Sequence, residues 1–92
     1  MYYANQNKKR LLGLTSMLEW GLDMDDPHRG FAVKVVEQLR SALEAGHVSL
    51  SGADKVRILK SITRAKVKAF MGGETEEFQT LDHIGRDLVE LL

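Results

Sequence analysis

Ninety-two residues, 43% hydrophobic and 28% charged, suit one folded domain, since domains typically run to about 100–150 residues. The absence of cysteine excludes disulfides, thiolate metal sites and cysteine nucleophiles together, and fits a reducing, cytoplasmic location. The formal net charge of zero argues against a partner bound by bulk charge alone, although the charges themselves are strongly segregated.

The chain opens without the apolar stretch of a signal peptide, and no run approaches the roughly 18 apolar residues of a membrane span. Leu11, Leu14, Leu18 and Leu22 then recur at spacings of three and four, the period of one helical face, which predicts a first helix over about residues 5–22. Trp20 lies nearly opposite that leucine stripe, with Met17 and Met24 beside it and Gly13 further along the helix. Four-helix packing needs one buried face on this helix. A second patch of Trp and Met therefore marks either a helix buried on two sides or a protein interface, where aromatic residues and Met are enriched. Met17, Trp20 and Met24 are the candidate interface residues.

The segment Asp23-Met24-Asp25-Asp26-Pro27 ends that helix, with Asp26 placed to cap the next and Pro27 suited to its first position. Asp23, Asp25 and Asp26 begin like a calcium loop but lack its glycine and terminal glutamate, so capping is the better reading. The second helix is expected over about residues 27–45 on Phe31, Val35, Leu39 and Ala42, stopped by Gly46. His47 to Leu50 form a short connection, with Val48 and Leu50 as packed loop residues.

Ser51 followed by Asp54 reads as a capping box opening a third helix, about 52–71, which Gly72-Gly73 stops. This segment carries Lys55, Arg57, Lys60, Arg64, Lys66 and Lys68 against Asp54 alone, a net of +5. At about 100° per residue, Arg57, Lys60, Arg64 and Lys68 fall within roughly 80° of arc and form one basic stripe. Such a stripe could contact the phosphates of a nucleic acid or an acidic partner. The alternative is a solvated face whose charges are answered by acids of the fourth helix. Ile58, Leu59, Ile62, Ala69 and Phe70 make the apolar arc. Lys66 lies near the middle of it and needs either an acidic partner or a route to solvent.

Thr75, with Glu76 and Glu77 in the first turn, opens a fourth helix, about 75–92, on Phe78, Leu81, Leu88 and Leu92. This segment has six acids (Glu74, Glu76, Glu77, Asp82, Asp87, Glu90) against Arg86, a net of −5. The expected fold is all-α, a compact antiparallel bundle of four helices without a sheet. Its third and fourth helices should form a hairpin that buries Leu59, Ile62, Phe70, Phe78, Leu81 and Leu88.

No catalytic, metal or cofactor motif stands out. His28, His47 and His83 share no ligand spacing, no glycine-rich phosphate loop follows a strand, and no serine sits in a nucleophile elbow. The expectation is a non-enzymatic module that binds a protein partner, forms a small homo-oligomer and does not use a membrane. A free-standing unit of this size fits a small bacterial or phage regulator or inhibitor. Nucleic-acid binding through the basic stripe is the alternative.

Overall fold

The computed structural model describes residues 2–24, 30–45 and 50–92, with side chains from Lys8 onward in the first helix. The expected roles of Asp26, Pro27, Gly46 and Val48, and the histidines at 28 and 47, lie outside the described residues. Four helices account for nearly all the rest: α1 (Tyr2–Asp23), α2 (Phe31–Ala45), α3 (Gly52–Met71) and α4 (Thr75–Leu91). Among the described residues there is no strand.

Local chemistry explains the boundaries. The Ser51 hydroxyl accepts a hydrogen bond from the Asp54 backbone N–H at 3.2 Å, meeting one of the donors a helix start leaves unpaired. Gly73 turns the chain at φ 73, a conformation that costs glycine little. The Glu74 N–H then closes back onto the Ala69 carbonyl at 2.9 Å. Glu74, rather than Thr75, takes the cap position of α4, and its side chain makes no capping hydrogen bond.

In cross-section the helices form a ring in the order α1, α2, α4, α3. Chain neighbours α1–α2 and α3–α4 pair as antiparallel hairpins. Although consecutive in the chain, α2 and α3 lie diagonally across the ring and are not packed neighbours. In their place α1 lies beside α3 and runs parallel to it: Lys8 meets Asp54, Glu19 meets Arg57 and Ser61, and Asp23 meets Arg64, so partners advance together along both helices. The bundle measures 43 × 25 × 20 Å.

Leu11, Leu18, Leu39, Ile58, Leu81 and Leu88 are fully enclosed at its centre. Burying such a side chain contributes about 1.5–3 kcal/mol each. Among the described residues, two polar side chains share that core, Thr15 and Ser61. Each hydroxyl bonds the carbonyl four residues earlier, Leu11 and Arg57 respectively, which removes the desolvation cost of burial.

Phe70 departs from expectation. It is 71% exposed, its ring 5.8 Å from that of half-buried Phe78. The buried arc of α3 runs through Ile58, Ser61, Ile62, Ala65 and Ala69, about 60° away from the arc that hydrophobicity alone picks out. Small residues at Ser61 and Ala65 let α1 approach closely, and that contact rotates Leu59 to half-burial and Phe70 outward.

Candidate functional site

The inward face of α1 is filled by Leu11, Leu14, Thr15, Leu18 and Leu22. Its outward face presents Met17 at 51%, Trp20 at 61% and Met24 at 63% exposure. Of the two alternatives the sequence leaves for this patch, burial of α1 on two sides is not seen among the described residues. The three side chains follow one another at spacings of three and four residues, so they line a single ridge one helical turn apart. Gly13 continues the ridge toward the helix start; a β-carbon there would meet nothing within 4 Å.

The basic stripe of α3 faces α1, not α4. The Arg57 guanidinium donates to the Ser16 hydroxyl at 3.1 Å and lies 3.9 Å from the Glu19 carboxylate. Arg64 pairs with Asp23, and the Lys68 ammonium donates to the Leu22 carbonyl at the end of α1. Only Lys60 of the four has no partner among the described residues. The expected match with the acids of α4 is thus corrected, and the reason is topological. The stripe lies on the side of α3 that parallel α1 occupies, whereas α4 packs on the opposite flank. Ser16, Glu19 and Asp23 advance along α1 by three and four residues, as Arg57, Ser61 and Arg64 do along α3. That matched period was present in the sequence and is the signal that could have revealed the pairing.

The acids of α4 have other partners. Asp82 Oδ1 accepts from Lys66 Nζ at 2.8 Å, and Asp82 Oδ2 lies 3.4 Å from Arg86. Asp87 lies 3.8 Å from Arg40 of α2. Lys66 sits at the edge of the buried arc rather than its middle, half-buried, with its ammonium 5.9 Å from the centre of the Phe78 ring. The hydrogen bond from Lys66, with Arg86 adding to it, holds the Asp82 carboxyl below its ordinary pKa. Asp54 is held low in the same way, by the Ser51 hydroxyl first and by Lys8 next.

An open cleft of about 630 Å³ separates Gly30, just before α2, and Val33 within it from the α3–α4 turn, rimmed by Glu74, Glu76 and Glu77. Among the described residues, no three His, Asp or Glu side chains gather as a metal-binding group. No described helix is long and apolar enough to cross a membrane. Comparison of the chain with protein-family models, with curated proteins and with solved structures finds no match.

Proposed function

We propose that this chain acts by binding another protein through the outer ridge of α1, with Met17, Trp20 and Met24 as the contact residues. It would work as a small regulator or inhibitor without catalytic chemistry of its own. The observation that carries this reading is the exposure of Trp20 on a helix whose core-facing side is already filled. An exposed indole flanked by two exposed methionines keeps a large apolar area in water, and covering it is the dominant gain available to this surface. Tryptophan is also the residue type that most often carries binding energy at protein interfaces.

A photo-reactive amino acid at position 17 or 24, in the cells that make the protein, tests the reading. The expected result is a discrete cross-linked product that disappears with Trp20→Ser and is missing when the probe replaces Ser41, which is exposed on the outside of α2. Equal cross-linking from position 41, or indifference to Trp20→Ser, overturns it.

The second reading, nucleic-acid binding through Arg57, Lys60, Arg64 and Lys68, draws support from the open Lys60 ammonium. Against it, Glu19 and Asp23 place two negative charges inside the stripe, where they would repel phosphates.

A further inference from the structure

The outer ridge of α1 is self-complementary. Arg10, Gly13, Met17, Trp20 and Met24 recur at spacings of three and four, the pattern of a helix–helix seam separate from the leucine seam facing the core. Within this ridge Gly13 is not held to glycine by any close neighbour: an added β-carbon would meet nothing within 4 Å. At Gly21 a β-carbon would fall 2.0 Å from the Phe31 ring, and at Gly85 one would fall 3.3 Å from the Ile62 side chain. Those two glycines admit a neighbouring helix. Gly13 faces open space, and in mid-helix a glycine weakens the helix relative to alanine. It leaves a notch one side chain deep, seven residues from the large exposed indole of Trp20.

Charge is arranged about the same midpoint. Lys9 and Arg10 are exposed at the start of the ridge, with no ion-pair partner among the described residues. Asp23 is exposed at its end, with Arg64 on its Oδ1, so that a second cation would share the carboxylate with Arg64. The midpoint of Gly13 and Trp20 and the midpoint of Lys9 and Asp23 both fall beside Met17. Lys9 and Asp23 also lie along the same edge of the ridge, where antiparallel helices bring like-placed positions together.

Resting on the reading of this face as a protein-binding surface, we infer that its partner is a second copy of this chain. The two α1 helices run antiparallel about a twofold axis beside Met17. Trp20 of each copy fills the notch at Gly13 of the other, Met17 meets Met17, and Lys9 faces Asp23. A twofold axis repeats every contact, so one knob, one notch and one ion pair become two of each. A parallel arrangement would place the Lys9 and Asp23 edges of the two copies on opposite sides of the seam, leaving both ion pairs unmade, and would oppose the two indoles with both notches empty.

The cysteine-free chain permits a direct test. Sedimentation over a concentration series should show a monomer–dimer equilibrium. Gly13→Gln, which fills the notch without charge and favours the helix, should raise the dimer dissociation constant at least tenfold while helical content is unchanged. Met17→Cys should form an intermolecular disulfide on mild oxidation. Met24→Cys should not, because its two copies would stand about 21 Å apart along the seam at 1.5 Å per residue, beyond the roughly 7 Å a disulfide can bridge. Equally efficient cross-linking at positions 17 and 24, or a dimer indifferent to Gly13→Gln, overturns the antiparallel pairing. A wild type that stays monomeric at several hundred micromolar overturns self-association as a whole. If cross-linking from positions 17 and 24 in cells then still depends on Trp20, the ridge binds a different protein and only the identity of the occupant was wrong.

Discussion

Lys66 on α3 and Asp82 on α4 meet at 2.8 Å, both half-buried, with the Phe78 ring beneath the ammonium. This contact ties the α3–α4 hairpin together at the rim of the core and gives it a defined pH response. The Asp82 carboxyl is held below its ordinary pKa, chiefly by the Lys66 hydrogen bond. A carboxylate with a depressed folded-state pKa contributes stability above its unfolded value of about 3.9, and loses it as pH falls through the folded value. Asp82→Asn should therefore be less stable than wild type at pH 7, by an amount that holds down to about pH 5 and shrinks in stronger acid. Urea denaturation of both proteins at a series of pH values measures this. A gap that widens below about pH 4 would contradict the assignment.

Leu81 is fully buried at the centre of the bundle. Leu81→Ala should cost about 2–5 kcal/mol, the range for a large-to-small change in a packed core. A loss below about half a kcal/mol in reversible denaturation would fall outside that range and place the residue elsewhere.

Gly13 and Gly21, two turns apart on one helix, should respond in opposite directions. Gly13→Ala meets no neighbour and should stabilise the folded chain by about 0.5–1 kcal/mol through helix propensity. Gly21→Ala drives its methyl group into the Phe31 ring and should destabilise by about 1–3 kcal/mol as that ring is displaced. Thermal melts in dilute solution, where association does not contribute, compare the two. Equal effects would mean that α2 does not press on α1 at Gly21.

The basic stripe should bind nucleic acid poorly. Arg57 and Arg64 are engaged by Glu19 and Asp23, and Lys68 by the end of α1, which leaves Lys60 as the open cation. Titration of labelled duplex and single-stranded oligonucleotides at two salt concentrations is expected to show no micromolar binding near physiological salt. Four free phosphate contacts would instead give a log–log salt slope of about −3 to −4. Such a slope, lost when Arg57, Lys60, Arg64 and Lys68 are all changed to alanine, would reverse the ranking of the two functions.

Features set by adjacent residues were readable from sequence. The Ser51–Asp54 cap, the Gly72-Gly73 turn and the leucine face of α1 all depend on neighbours within a turn of the chain, and the structure places them as expected. The Met17, Trp20 and Met24 ridge was legible for the same reason, as residues opposite a face already claimed by the core. Phe70 and the stripe were misplaced because both depend on which helix lies beside α3. Hydrophobicity points to Leu59 and Phe70, whereas the buried arc is chosen by where Ser61 and Ala65 admit α1. Nothing local says that α2 and α3, joined by a short connection, sit diagonally across the bundle.

The parallel contact between α1 and α3 also bears on the order in which the chain folds. Ser16, Glu19, Asp23 and Leu22 meet their α3 partners at sequence separations of 41 to 46, whereas the helices of each hairpin are joined by only a few residues. Loop closure is entropically cheaper for the hairpins, so they should form before they join. The polar seam is then absent from the folding transition state. Substitutions at Glu19 or Asp23 should accelerate unfolding and leave the refolding rate nearly unchanged, while Leu81→Ala, within a hairpin, should slow refolding. Seam substitutions should thus shorten the lifetime of the folded protein, whereas hairpin substitutions should slow its formation.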